Sequence, residues 1–250
     1  MAKVDEINYF KRLDREAKNY IENKPFSDRN TGKLLLQIGT VLSLIPQKPS
    51  KILDIGCGIG WTSLFLAKSG HKVLGIDISK YIIYEANKIK KRQKIKNLYY
   101  KTIDAEKLNI KNKFDCVLFF DSLHHFEKTK TVLKKTFLAL KPGGICIIDE
   151  PGIFHHKSEN AKNKIKDFNS TENDIIPKKI KKLSQRIGFK NFKCYPKILH
   201  LNFLIYENFL KSEKLKKISF LLKFLPIRYS ILFFILVFFK SYNGLIILKK

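Results

Sequence analysis

Residues 51–79, KILDIGCGIGWTSLFLAKSGHKVLGIDIS, decide the fold of this chain. The apolar run at 51–55 predicts a buried strand, residues 61–68 predict a helix, and residues 73–76 predict a second buried strand. A glycine-rich turn separates the first strand from the helix, and glycine lets a backbone bend sharply and approach a ligand closely. This order of elements is typical of nucleotide-binding α/β folds.

Carboxylates frame the glycine turn. Asp54 ends the first strand, Gly56, Gly58 and Gly60 follow it, and Asp77 ends the second strand. Dinucleotide-binding folds have the spacing G-x-G-x-x-G and hold a pyrophosphate at the helix N-terminus. Here the spacing is D-x-G-x-G-x-G, and a carboxylate before the turn suits a cationic ligand better than a pyrophosphate. A degenerate dehydrogenase fingerprint is the alternative interpretation.

The same alternation continues along the chain. Helices are predicted at 80–94 and 128–140, and strands at 98–103, 114–120 and 145–148, with a break at 141–144 that contains proline and two glycines. Acidic residues end the successive strands: Asp54, Asp77, Asp104, Asp121 and Asp149-Glu150. Such alternation predicts a parallel sheet with helices on both faces, and ligands bind beyond the carboxyl ends of its strands.

Composition restricts the function classes. The 250 residues carry a net charge of +27, which is compatible with nucleic acid or an anionic membrane as partner. However, 43 of the 49 basic residues are lysine, whereas nucleic-acid readers depend on arginine for bidentate contacts. The four cysteines form no C-x-x-C pair, which predicts a reduced, cytoplasmic protein without a metal site, and the charged N-terminus does not resemble a secretion signal.

The D-x-G-x-G-x-G block resembles motif I of the class I S-adenosylmethionine-dependent methyltransferases, and the resemblance extends over residues 51–151. It implies an α/β, Rossmann-like sheet of seven strands, mostly parallel with an antiparallel last strand, with helices on both faces. It also implies S-adenosyl-L-methionine as cofactor, with Asp54 near its amino-acid end and Asp104-Ala105 near its adenine. The implied cofactor-binding residues are Asp54, Gly56, Cys57, Gly58, Gly60, Asp77, Ile78, Asp104, Ala105 and Asp121.

We expect one methyltransferase domain over residues 1–250. Its predicted parts are an N-terminal helical cap (1–50), a cofactor-binding core (51–151), a substrate-side segment with strand six (152–206), a hydrophobic insert (207–240) and a last strand (243–249). Within the cap, helices are predicted at 5–20 and 33–45.

Two histidine pairs are candidates for the catalytic base. Transfer of a sulfonium methyl is a displacement that depends on proximity, but an oxygen nucleophile must also lose a proton, for which histidine is suited near neutral pH. The pairs follow strands four and five, where Asp149 or Glu150 is placed to orient an imidazole; they are His124-His125 and His155-His156. Proximity alone, without a base, is the other possibility.

The segment after strand four favours a small-molecule acceptor. It reads Asp121-Ser122-Leu123-His124, without the Asn/Asp-Pro-Pro-Tyr/Phe run common in amino-group methylation of adenine or glutamine. We therefore expect an oxygen or nitrogen atom of a small molecule as acceptor, with a sugar or a lipid-linked compound among the candidates. The alternatives are an RNA methyltransferase and a non-catalytic protein that binds the cofactor or a membrane.

The hydrophobic insert at 207–240 favours peripheral membrane contact. It combines a leucine face opposite lysines with the apolar run ILFFILVFF at 231–239. That run is shorter than the roughly 20 residues of a membrane-spanning helix. An amphipathic, lysine-rich helix beside an apolar patch is typical of binding to an anionic membrane surface. Packing in the core or in a dimer interface is the alternative.

Overall fold

The computed structural model describes residues 14–28, 30–46, 49–197 and 224–250. The strands are β1 (Lys51–Ile55), β2 (Lys72–Asp77), β3 (Leu98–Thr102), β4 (Phe114–Phe120), β5 (Leu140–Asp149), β6 (Asn191–Pro196) and β7 (Gly244–Lys249). The helices are α1 (Arg15–Glu22), α2 (Thr31–Leu44), α3 (Trp61–Lys68), α4 (Lys80–Arg92), α5 (Thr129–Ala139), α6 (Glu159–Phe168), α7 (Pro177–Ile187) and α8 (Leu225–Val237). Single 3₁₀ turns cover Ala105–Lys107, Leu123–His125, His155–Lys157 and Phe239–Ser241.

The seven strands form one sheet in the order β3-β2-β1-β4-β5-β7-β6. Strands β1 to β5 pair in parallel, and β7 is antiparallel to both of its neighbours, β5 and β6. The predicted fold class, mostly parallel with an antiparallel last strand, is therefore confirmed. The strand order reverses between β1 and β4, and open α/β sheets bind their ligands at such a point.

Alternate residues of the central strands supply two hydrophobic cores, one on each face of the sheet. Leu53 and Phe119 belong to the core that includes Leu133 of α5 and Ile180 of α7. Their chain neighbours Ile52 and Leu118 belong to the opposite core, with Ile38 of α2, Leu66 of α3 and Ala86 of α4. Successive side chains of a strand point to opposite faces, so burial on both faces explains why these strands are apolar throughout.

Several element boundaries differ from the predictions. The first predicted helix, 5–20, is described only from Asp14 onward and ends later, at Glu22. Strand β5 begins at Leu140 instead of residue 145, because Phe114 already pairs with Leu140 before the register shifts. The predicted insert 207–240 is described only from residue 224, where Pro226 lies in the first turn of α8, a position at which its missing N–H is tolerated.

Candidate functional site

A cavity of about 590 Å³ opens at the carboxyl edge of the sheet. Its wall combines the turn after β1, the ends of β2 and β4, helix α1 and part of α6. The volume falls within the range of small-molecule sites, roughly 300–1,000 Å³. Among the predicted site residues, the wall contains Gly56, Gly58, Asp77, Ile78, Asp104, Ala105, Asp121 and His125.

The three glycines of the turn all have positive φ angles, and each meets a different environment. A Cβ on Gly56 would lie 2.7 Å from the Cβ of Ser122, and a Cβ on Gly60 would collide with the hydroxyl of Tyr100. A Cβ on Gly58 would meet no atom within 4 Å. Gly56 and Gly60 therefore permit close packing, whereas Gly58 leaves open space on the side of the cavity.

Ser122 joins the glycine turn to the segment that follows β4. Its Oγ donates to the carbonyl oxygen of Ile55 at 2.7 Å. Its backbone N–H donates to Glu150 at 2.7 Å, as does that of Leu123 at 2.6 Å. One residue thus connects the ends of β1, β4 and β5.

Asp77 holds the turn and also faces the cavity. Its Oδ2 accepts from the backbone N–H of Gly58 at 3.1 Å, and its Oδ1 accepts from that of Ser79 at 3.0 Å. Burial raises the pKa of this carboxyl, although the backbone hydrogen bonds oppose the shift. A carboxylate oxygen has more than one lone pair, so Asp77 can still accept from hydroxyl groups of a ligand.

Asp54 and Cys57 support the turn from behind. Asp54 is buried, and one of its oxygens accepts from Thr62 at 2.7 Å and from Ser63 at 2.6 Å, which ties β1 to the start of α3. Cys57 belongs to the apolar core that contains Tyr100. Neither residue lies in the cavity wall, and neither does Gly60. Direct contact of these three residues with the cofactor stays a prediction.

Three of the four candidate histidines lie together. His125 lines the cavity, and the buried ring of His124 lies behind it at a centroid distance of 3.9 Å. The ring of His155 lies 4.7 Å from that of His124. His156 points elsewhere: its Nδ1 lies 2.9 Å from Asp174, and it does not line the cavity.

Two buried glutamates hold the histidine cluster. Oε2 of Glu150 lies 2.6 Å from Nδ1 of His124. Oε2 of Glu172 lies 2.6 Å from Nε2 of His155 and 3.5 Å from Nε2 of His124. The Nδ1 of His125 lies 3.0 Å from the carbonyl oxygen of Thr171, so this nitrogen carries the proton and donates it.

Burial separates the charge states within the cluster. Burial lowers the pKa of His124 to about 4. Burial also raises the pKa of Glu150 to about 7, although two backbone hydrogen bonds oppose this shift. Burial alone would also raise the pKa of Glu172, but the hydrogen bond from His155 and the nearby Lys164 lower it to about 2. At neutral pH the cluster therefore contains an ionised Glu172 beside a neutral His124.

Sequence reasoning missed two members of the site. Glu172 lies in an irregular stretch between α6 and α7 that has no periodic pattern, and its partners are distant in sequence. Lys197 follows β6, and its buried ammonium lies 2.8 Å from Asp149 and donates to the carbonyl oxygen of Glu150 at 2.6 Å. The expectation that Asp149 or Glu150 orients an imidazole matches Glu150, because Asp149 instead contacts Lys197 and Gln37.

Comparison with known proteins places the fold and site in a family. A family model described as a methyltransferase domain matches residues 46–197. Two ubiquinone biosynthesis O-methyltransferases are similar: that of Pelagibacter ubique is 38% identical over 103 residues (41% of this chain, 42% of the relative), and that of Pseudomonas fluorescens strain Pf0-1 is 31% identical over 153 residues (58% and 62%). This chain therefore spans less than two thirds of either relative.

A solved structure shows the same fold. Phosphoethanolamine N-methyltransferase 2 of Haemonchus contortus, in complex with S-adenosyl-L-methionine, superposes with a TM-score of 0.65 at 21% identity, covering 97% of this chain and 58% of that one. The chain belongs to the methyltransferase-domain family, which confirms its resemblance to the class I S-adenosylmethionine-dependent methyltransferases.

Proposed function

We propose that the protein transfers a methyl group from S-adenosylmethionine to an oxygen atom of a small-molecule acceptor. The observation that carries this proposal is the cavity wall, which contains Gly58 together with the carboxylates of Asp77, Asp104 and Asp121 at three strand ends. The curated relatives are named O-methyltransferases, which supports oxygen over nitrogen as the acceptor atom.

The charge of the cavity wall suits a cationic cofactor. Five carboxylates and two lysines line it in the described part of the chain: Asp28, Asp77, Asp104, Asp121, Glu127, Lys24 and Lys164. An excess of negative charge attracts a sulfonium and repels a phosphate backbone. This balance favours a small-molecule methyltransferase over the RNA methyltransferase that the net charge of the whole chain allows.

The residues of this chain have separate tasks in the proposed reaction. The bound cofactor supplies a sulfonium methyl that is already activated for displacement. Asp77 fixes the glycine turn and offers a carboxylate to ribose hydroxyls. His125 is the member of the histidine cluster that lines the cavity. In the proposed reaction the acceptor binds with its hydroxyl group next to His125. The main contribution of the protein is to hold the two reactants in line, since proximity and orientation lower the barrier most.

Calorimetric titration with S-adenosylhomocysteine tests cofactor binding. We expect one site per chain and weaker binding by Asp77→Ala, because the ribose loses a charged acceptor. Gly58→Trp should abolish binding, since its side chain enters the open space of the cavity. Asp115→Ala is a matched control, because Asp115 contacts Lys141 and the N–H of Lys51 at the other end of the strands. Equal binding by wild type and Gly58→Trp contradicts the proposal.

We also propose that α8 contacts an anionic membrane surface from one side. Aromatic side chains on this helix and directly after it are turned outward: Phe233 is 61% exposed, Phe234 53% and Phe238, which follows the helix, 54%. Arg228 and Lys240 flank this apolar surface with positive charge. An exposed apolar patch on the surface of a domain is unusual unless a partner covers it. Within the described ranges, every helix is too short or too polar to cross a bilayer.

Membrane contact would bring an acceptor with a lipid tail to the cavity. Sedimentation with anionic and neutral vesicles tests it, and binding should need the anionic lipid and weaken with salt. A protein that stays in the supernatant with anionic vesicles at low salt contradicts it. The cytoplasmic location and the domain boundaries predicted from the sequence stay predictions.

A further inference from the structure

We propose that His124, His125 and Glu172 form a binding site for a divalent first-row transition-metal ion, such as Zn²⁺, behind the wall of the cavity. One ligand atom from each of the three residues lies within 4.8 Å of the other two. Imidazole nitrogen with carboxylate oxygen is a donor set that Zn²⁺ and Fe²⁺ accept, whereas Mg²⁺ and Ca²⁺ prefer oxygen alone. The cysteine spacing of the sequence predicted no metal site.

The spacing of the donor atoms fits one shared ion. Two ligands on a tetrahedral ion with bonds of about 2.0–2.1 Å lie about 3.3–3.4 Å apart. Nε2 of His124 lies 3.5 Å from Oε2 of Glu172. This separation exceeds good hydrogen-bond distance, so the two atoms are not bonded directly to each other.

Two of the candidate ligands, His124 and Glu172, are also oriented by further partners. Glu150 holds Nδ1 of His124 at 2.6 Å, which directs Nε2 toward Glu172. Glu172 in turn accepts from His155 at 2.6 Å and from Ser170 at 3.0 Å. Metal-binding histidines and carboxylates are typically held in this way, and the carboxylate–histidine pair is a common arrangement at zinc sites.

The position of the site suggests how an ion there acts in the proposed function. His125 connects the cluster to the cavity, so an ion beside it lies close to an acceptor oxygen. A bound dication makes a hydroxyl group more acidic, and this would remove the need for histidine as a base. In that case His125 acts as a ligand. The inference about metal binding itself does not depend on methyl transfer.

Titration with Zn²⁺ alone tests the site in the full-length protein after dialysis against a chelator. We expect one Zn²⁺ per chain, and Co²⁺ in its place should give the visible absorption of a low-coordinate nitrogen–oxygen site. Glu172→Gln should weaken Zn²⁺ binding more than about 100-fold, since loss of an outer partner alone costs about 10–100-fold. Glu150→Gln should fall in that smaller range.

Two further variants make the test specific. His156→Ala is the matched control, because this histidine pairs with Asp174 outside the cluster and should leave Zn²⁺ binding unchanged. Lys164→Met should strengthen binding, since the ammonium 3.6 Å from Glu172 competes with a cation for that carboxylate. Parallel titration with S-adenosylhomocysteine shows whether each variant remains folded and separates this inference from the proposed function.

The inference is overturned if wild-type protein that binds S-adenosylhomocysteine takes up no stoichiometric Zn²⁺ or Co²⁺. It is also overturned if Glu172→Gln binds Zn²⁺ as tightly as wild type, or if His156→Ala weakens binding as much as Glu172→Gln does. In each of these cases the cluster is a hydrogen-bonded network only, and the proposed methyl transfer stands unaffected.

Discussion

Replacing Phe234 and Phe238 by serine should release the protein from anionic vesicles. The centroids of the two rings lie 5.7 Å apart, and the two residues are 53% and 54% exposed. A whole phenylalanine buries about 200 Å², so each residue has about 100 Å² of exposed apolar surface that a membrane can cover. At about 25 cal/mol per Å², full burial of both rings contributes about 5 kcal/mol, and half burial in the interface about 2.5 kcal/mol. The partition coefficient should therefore fall by about 10²–10⁴-fold.

The assay is co-sedimentation with vesicles that contain an anionic phospholipid, at low and at high salt. Tyr84→Ser/Tyr99→Ser is the matched control, because these rings are 61% and 58% exposed at the opposite edge of the sheet, on α4 and β3. Thermal unfolding followed by circular dichroism checks that both double variants are folded. If the phenylalanine variant sediments like wild type, or if the tyrosine variant is released equally, the assignment of α8 as the contact surface is wrong.

Three other changes test the site and the fold. Gly60→Ala should lower the free energy of unfolding by about 2–4 kcal/mol, because a Cβ is strained at this positive φ and collides with Tyr100, and chemical denaturation measures it. Asp115→Asn should make the protein less sensitive to acid. Burial raises the pKa of this carboxyl, but the hydrogen bonds and charges of Lys141 and Lys51 together outweigh burial and lower it. The stability that Asp115 contributes is therefore present above its unfolded pKa and is lost as pH falls through the lower folded pKa. His125→Ala should reduce turnover by about 10²–10⁴-fold with cofactor affinity intact, measured with labelled methyl donor and a small-molecule acceptor that carries a hydroxyl group.

Each of these predictions has an outcome that contradicts it. Unchanged unfolding of Gly60→Ala would mean that Tyr100 moves away without cost. If Asp115→Asn loses stability at low pH in the same way as wild type, the ion pair with Lys141 is screened by solvent. Full turnover by His125→Ala would leave orientation of the two reactants as the sole contribution of this wall of the cavity.

The sheet and the position of the site were predictable because both depend on local signals. Apolar runs such as residues 114–120 mark strands that are buried on both faces, and an acidic residue directly after a run marks its carboxyl end. Parallel strands bring these ends to one edge, so the positions of Asp77, Asp104 and Asp121 followed from chain order. The family then confirmed the interpretation of the glycine turn.

The parts that were not predictable depend on contacts between distant residues. Asp54 occupies the expected strand end, but its oxygen is taken by Thr62 and Ser63, which a motif does not reveal. Glu172 approaches His124 and His155 only because the stretch between α6 and α7 packs against the segment that follows β4. The outward direction of the rings on α8 is likewise a property of packing, since the same apolar run would also suit a buried helix.

The bridge made by Ser122 connects the binding of the methyl donor to the binding of the acceptor. Its Oγ is fixed to the end of β1, directly beside Gly56, and its own chain continues within two residues to His124. If the glycine turn shifts on cofactor binding, Ser122 passes the shift directly to the segment that contains His124 and His125. The two binding equilibria are then coupled, and linkage requires that the factor by which the cofactor changes the affinity for the acceptor equals the factor by which the acceptor changes the affinity for the cofactor. In either order, the reactant that binds first then changes the surface that the second one meets.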